Sequence, residues 1–183
     1  MKFKLLAFFI SAIGLASCVD IPDFDSTPKI YYNGITQYTD VDTLGGQNQE
    51  YEMVVISIDV EDGEGDLGAT PEEYNDTSFV EKYVQRSGWE LPANYELVTM
   101  TKQPDGSFDE KILTADSLKF FPMLTSGGKP GPIKAKLDLY TKYFKSSSSK
   151  LITCKYKVRI IDRALNISNS LPEPTDEVTV PSL

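Results

Sequence analysis

The sequence predicts an all-β domain, an antiparallel immunoglobulin-like β-sandwich. Three observations predict it. Short segments alternate apolar and polar side chains with a period of two, the mark of half-buried strands. Gly, Pro and Asn-Asp pairs punctuate them at short intervals. Roughly seven such segments occur, the number that a sandwich of this kind uses. The Cys-Trp-Cys pattern of antibody domains is missing, so the assignment rests on strand number and order.

The elements follow in order. Lys29 to Ile35 is a first strand. Glu52 to Val60 is a stronger one: Val54, Ile56, Ile58 and Val60 share one face, with Ser57 and Asp59 on the other. Ser78 to Arg86 reads two ways. Ser78 and Glu81 stand at capping-box spacing with Gly88 as a stop, which suits a helix. Val80, Lys82 and Val84 alternate against Phe79, Glu81 and Tyr83, which suits a strand. Ser87-Gly88, as a turn into Trp89-Glu90-Leu91, tips the reading to a strand. Tyr95 to Thr101 comes next, and Gln103-Pro104-Asp105-Gly106 turns it into Phe108 to Leu113, a hairpin. Ile133, Ala135, Leu137 and Leu139 alternate with Lys134, Lys136 and Asp138. Ser146 to Ser149 forms a loop into the clearest strand, Leu151 to Ile161. There Ile152, Cys154, Tyr156, Val158 and Ile160 oppose Thr153, Lys155, Lys157 and Arg159. A slip of one residue would bury the three cations, so the register is well specified. Glu177 to Val180 closes the chain as an edge strand between Pro174 and Pro181.

Residues 1–17 read as an export leader. Lys2 and Lys4 are followed by a short apolar run, Leu5 to Leu15, and then by small residues before Cys18. The run is too short to span a membrane. The Leu15-Ala16-Ser17-Cys18 ending resembles the lipobox of bacterial lipoproteins, in which the cysteine becomes the lipidated first residue. The resemblance implies acyl chains on Cys18 and attachment to a membrane through them, since several chains at about 0.8 kcal/mol per methylene hold a protein effectively permanently. Residues 18–28, with Asp20, Pro22, Asp23, Asp25, Ser26 and Pro28, read as an acidic tether. The stretch resembles the surface-export signal of Bacteroidota-type lipoproteins, and a plain linker has the same composition. The domain proper is then 29–183.

Without the leader the chain keeps 166 residues, enough for one domain with a real core. It carries 16 basic against 27 acidic side chains, a net charge of −11. Such a surface repels nucleic acid and attracts cations. Histidine is absent, which removes Ser-His-Asp and Cys-His catalysis and every histidine-based metal site. Two cysteines are present; lipidation of Cys18 leaves Cys154 without a disulfide partner, and its place on an apolar strand face marks it as a small core hydrophobe.

Two loops stand out for chemistry. Glu61-Asp62-Gly63-Glu64-Gly65-Asp66-Leu67-Gly68 and Ile161-Asp162-Arg163-Ala164-Leu165-Asn166-Ile167-Ser168-Asn169 each directly follow a strong strand. If those are the second and sixth strands of an immunoglobulin-like sandwich, their loops lie at the same end. Asp62, Glu64, Asp66, Asp162, Asn166 and Asn169 are therefore candidate ligands of one calcium ion, which takes six to eight oxygens. The loop is no EF-hand, because Leu67 stands where the turn glycine belongs. A metal-free account competes: Asp-Gly pairs make turns by themselves, and Arg163 can neutralise one of the acids.

The same residues carry a family resemblance. Asp62 to Gly68 resembles the D-G-D-G-D-(I/L)-G segment of a family of Bacteroidota-type lipoproteins to which no reaction is assigned, with Glu64 in place of the middle aspartate. Ile161 to Asn169 resembles that family's late D-R-A-x-N-x-S-N segment. The resemblance runs from about Pro28 to the end and implies a lipid-anchored, sandwich-like extracytoplasmic domain. Asp25-Ser26-Thr27, Asp42-Thr43-Leu44 and Asp116-Ser117-Leu118 also resemble O-glycosylation sites of that bacterial group.

Aromatic residues exceed what the strand interiors need: Tyr31, Tyr32, Tyr38, Tyr74, Tyr83, Trp89, Tyr95, Phe108, Tyr140, Tyr143 and Phe144. Exposed rings stack on sugars or anchor a protein partner. The expectation is a lipoprotein of the outer membrane or cell surface, acting without catalysis as a binding or structural module for a glycan or a partner outer-membrane protein. The rival is a carboxylate-based glycan hydrolase, which needs two acids facing each other across an open groove.

Overall fold

The computed structural model describes residues 22–43, 48–85, 89, 91–125, 130–171 and 174–182. The leader 1–17, Cys18 and the turn Ser87-Gly88 lie outside them. Seven strands occur among the described residues: β1 (Lys29–Asp42), β2 (Gln49–Asp62), β3 (Tyr95–Lys102), β4 (Phe108–Lys111), β5 (Ile133–Lys145), β6 (Leu151–Ile160) and β7 (Val178–Pro181). They form two antiparallel sheets of order β1-β2-β5 and β4-β3-β6-β7. The chain crosses between the sheets after β2, β4 and β5, which is the sandwich expected from strand number and order.

The period-two faces meet between the sheets. Val54, Ile56, Ile58 and Val60 of β2 and Leu137 and Leu139 of β5 pack in one core with Leu97 of β3 and Cys154, Tyr156, Val158 and Ile160 of β6. The four β2 residues are fully buried, each contributing about 1.5–3 kcal/mol relative to exposure. A slip of one residue would exchange them for Ser57 and Asp59. Cys154 is a buried free thiol within this core, as its strand position implied, and burial raises its pKa.

Strand β1 runs further than the predicted Lys29 to Ile35. A bulge between Tyr32 and Gly34 inserts one residue and changes the phase of the strand. Ile30 and Tyr32 point inward before it, and Ile35 and Gln37 after it, paired with Val60, Ile58, Ile56 and Val54. Alternation read through the bulge ends the strand too early.

Residues 78–86 correct the strand reading. Two helices, α1 (Pro71–Tyr74) and α2 (Thr77–Val84), fill the β2–β3 connection. The cap of α2 is Asp76, whose side chain accepts from the Ser78 amide, and not Ser78. A helix puts Phe79 and Tyr83 on one face, four residues apart, with ring centroids at 5.4 Å. Tyr83 joins Trp89 and Ile161 in a second buried cluster, against which Phe79, Phe120, Leu165 and Ile167 pack. These long-range partners, which local alternation does not reveal, decide for the helix.

The last residues of the expected tether are docked rather than free. The Gly63 amide donates to the Asp25 carbonyl at 2.8 Å, Asp25 pairs with Lys29 at 3.5 Å, and Pro28 is buried. No described helix is long and apolar enough to cross a membrane.

Candidate functional site

The two acidic loops meet. The inward phase of β2 runs Val54, Ile56, Ile58, Val60 and then Asp62; that of β6 runs Cys154, Tyr156, Val158, Ile160 and then Asp162. Both aspartates therefore occupy the next inward position after the apolar residues, Asp62 as the last residue of β2 and Asp162 two residues past β6 of the opposing sheet. Each is fully buried. This phase is the signal that singles out these two acids among the 27 of the chain.

Each loop is held by its own aspartate. Asp62 Oδ2 accepts from the amides of Gly65 at 2.6 Å and Asp66 at 3.3 Å. Gly65 sits at φ +67°, and a Cβ there would fall 2.1 Å from the Gly131 carbonyl oxygen, so only glycine fits. Asp162 closes the other loop: its Oδ1 accepts from the Asn166 amide at 2.7 Å, and its Oδ2 from Asn166 Nδ2 at 2.9 Å. Leu165 takes up a φ of 70° to complete that turn. Asp66 then joins the loops, its Oδ2 accepting from the Ala164 amide at 3.0 Å and its carbonyl from the Arg163 amide at 3.3 Å.

One oxygen from each of Asp62, Asp66 and Asp162 lies within 4.8 Å of the other two. Burial raises the carboxyl of Asp162 to about 6, against the hydrogen bonds from Asn166, and the charges of Asp66 and Asp62 push it the same way. Burial likewise raises Asp62, with Asp66 and Glu64 adding to the rise against the Gly65 amide. Arg163 makes no close ion pair with this cluster, though its charge acts on Asp66 from a distance. Its guanidinium binds Glu73 with two hydrogen bonds of 2.7 and 2.6 Å, a partner that local reading of the loop misses.

Three of the six candidate ligands, all aspartates, are thus brought together. Glu64 is exposed and stands outside the cluster. Asn166 sits beside the cluster, its Nδ2 donating to Asp162. Asn169 serves β1: its Oδ1 accepts from the Ile30 amide at 2.8 Å and its Nδ2 donates to the Ile30 carbonyl at 2.9 Å. That pairing spans 139 positions and is invisible in the loop's own sequence.

The aromatic expectation divides. Tyr83, Trp89, Tyr95 and Tyr143 are buried and belong to the cores. Tyr38, Tyr140 and Phe144 are exposed at 48%, 43% and 48%, and they share the outer face of the β1-β2-β5 sheet. Three cross-strand rows make up this patch: Thr36, Val55 and Tyr140; Tyr38, Met53 and Lys142; Asp40, Tyr51 and Phe144. Further along the same face the rows turn polar and ionic, with Lys134 paired to Glu61 at 2.6 Å and Asn33 donating to Asp59 at 2.7 Å. Tyr31, also exposed, belongs to the ionic half through its hydrogen bond to Glu61 at 3.1 Å.

Comparison with protein-family models, with curated proteins and with solved structures finds no match to this chain.

Proposed function

We propose that this chain is a lipid-anchored extracytoplasmic module of the outer membrane that works by binding, without catalysis, and that its ligand is a glycan met by the outer face of the β1-β2-β5 sheet. The observation that carries the reading is the patch of Tyr38, Tyr140 and Phe144 with Met53 and Val55 between them. The C–H faces of a sugar ring pack on aromatic surfaces, while its hydroxyls need the kind of polar groups that Thr36, Asp40 and Lys142 place at neighbouring positions. Lipid on Cys18 would hold the domain at the membrane and leave this face to meet its ligand.

The placement of the acids favours a module over a hydrolase. Hydrolysis of a glycoside needs two carboxyl groups roughly 5–9 Å apart with substrate and water between them. Asp62 and Asp162 are instead fully buried around one point.

Affinity electrophoresis of the full chain through gels containing single polysaccharides tests the glycan. Retardation by at least one, abolished in the triple variant Y38A/Y140A/F144A with unfolding unchanged, is the expected result. No retardation by any polysaccharide overturns the glycan reading, and capture of an outer-membrane protein by the same face would replace it. The anchor has a separate test. Cys18→Ala moves the protein from the membrane pellet to the soluble fraction if lipid is what holds it.

A further inference from the structure

We propose that Asp62, Asp66 and Asp162 bind one calcium ion that ties the loop after β2 to the loop after β6. The site is independent of the glycan surface. Its strongest support is a pair of orphaned atoms. Asp62 Oδ1 and Asp66 Oδ1 are buried and accept no hydrogen bond, and the whole Asp62 side chain is inaccessible to solvent. A buried carboxylate oxygen without a donor is costly, so a native fold keeps one where something else satisfies it. Among the described residues no ion pair within 4.0 Å reaches any of the three aspartates; Arg163 and Lys82 act on Asp66 only from a greater distance, and Arg163 is paired with Glu73.

The geometry suits an ion of this size. Oxygens held about 2.3–2.6 Å from one centre lie at most about 5 Å apart. The three carboxylates supply oxygens all within 4.8 Å of one another. Hydrogen bonds from Gly65, Ala164 and Asn166 hold the three side chains before any ion arrives. The donors are oxygens alone, and the chain has no histidine, so the site selects a hard cation over zinc or copper. Calcium tolerates the irregular arrangement of a bent loop, whereas magnesium demands a near-ideal octahedron and sheds its water reluctantly. A cavity of about 300 Å³, lined by Glu64, Asp66, Thr125 and Arg163, opens beside Asp66.

The test uses the full chain in detergent, with calcium chloride, magnesium chloride or chelator. Calorimetric titration should give one calcium site. At a hundredfold excess over the Kd, calcium should raise the unfolding temperature by about 5–10 °C over chelator. Asp62→Asn and Asp66→Asn should lose most of that rise, yet unfold in chelator at or above the parent's temperature, because one of three repelling charges is gone. This crossover separates an ion site from a polar cluster that merely shapes the loops. If Asp62→Asn does not fold, Asp66→Asn carries the comparison, since Asp66 makes one side-chain hydrogen bond where Asp62 makes two. No calcium response in the parent, or a response that the variants keep in full, overturns the site. An equal response to magnesium overturns the assignment to calcium.

Discussion

Arg163 turns away from the aspartates of its own loop and grips Glu73 in a two-pronged pair, Nη1 to Oε2 at 2.7 Å and Nη2 to Oε1 at 2.6 Å. The pair fastens the loop after β6 to helix α1. Glu73 also accepts from the Thr70 amide at 2.8 Å, so one carboxylate both caps α1 and anchors the loop. Planar two-pronged contacts are the strong form of the ion pair. These side chains keep 31% and 23% exposure, so solvent screens part of the attraction. A double-mutant cycle with E73Q and R163M should give a coupling energy of about 1–2 kcal/mol by urea unfolding. Coupling near zero would mean that α1 and the loop are held by their other contacts.

Gly65 is the tightest point of the acidic loop. Its φ of +67° disfavours any side chain, and a Cβ would meet a backbone oxygen of Gly131 at 2.1 Å. Gly65→Ala should therefore destabilise the fold by about 3 kcal/mol, combining the left-handed penalty with the forced shift of residue 131. Gly106 makes the control: its φ of +87° is similar, but nothing lies within 4 Å of its Cβ position. Gly106→Ala should cost about 1 kcal/mol. Equal losses in the two variants, measured by urea unfolding, would show that backbone conformation alone sets the effect.

The strands were legible wherever one face is buried and the phase is unbroken, as in Val54 to Val60 and Ile152 to Ile160. Legibility failed where a partner far along the chain decides the outcome. The bulge at Asn33 shifts the phase of β1 and hides its second half. Helix α2 depends on Tyr83 meeting Ile161 and Phe120, contacts outside any local window. At the site, composition alone placed six oxygen donors on equal terms. Phase along β2 and β6 separates Asp62 and Asp162 from exposed Glu64, and Asn169 is claimed by Ile30 at the opposite end of the sequence.

Asp116 supplies a pH dependence away from the acidic loops. It is fully buried in the short 3-10 turn Thr114–Asp116, accepts from Thr141 Oγ1 at 2.8 Å, and faces Lys119 Nζ at 3.4 Å. Burial raises its carboxyl above the ordinary carboxylate value, and Thr141 and Lys119 offset only part of the rise. The folded state then binds the proton more tightly than the unfolded state. Its contribution to stability is complete below the ordinary value of 3.8 and declines as pH climbs through the raised folded value. Asp116→Asn carries no charge at any pH. Its stability relative to the parent should therefore improve as pH rises above about 4, followed as urea midpoints. A difference that stays constant would show that Thr141 and Lys119 offset burial in full, and one that moves the other way would show that they outweigh it.

Tyr143 of β5 and Tyr156 of β6 bring their hydroxyls to 2.9 Å inside the core, which makes a polar contact between the two sheets. Burial pushes the Tyr143 phenol up to about 12 and raises Tyr156 as well, so both stay protonated at neutral pH and one donates to the other. Removing one hydroxyl strands its buried partner, whereas removing both leaves two rings of nearly the same shape. Tyr143→Phe and Tyr156→Phe should each cost about 1–2 kcal/mol, and the double variant should cost less than their sum by about 1 kcal/mol. Urea unfolding of the four proteins measures this directly. Additive losses would mean that each hydroxyl finds another partner, and that the contact between the sheets rests on the rings alone.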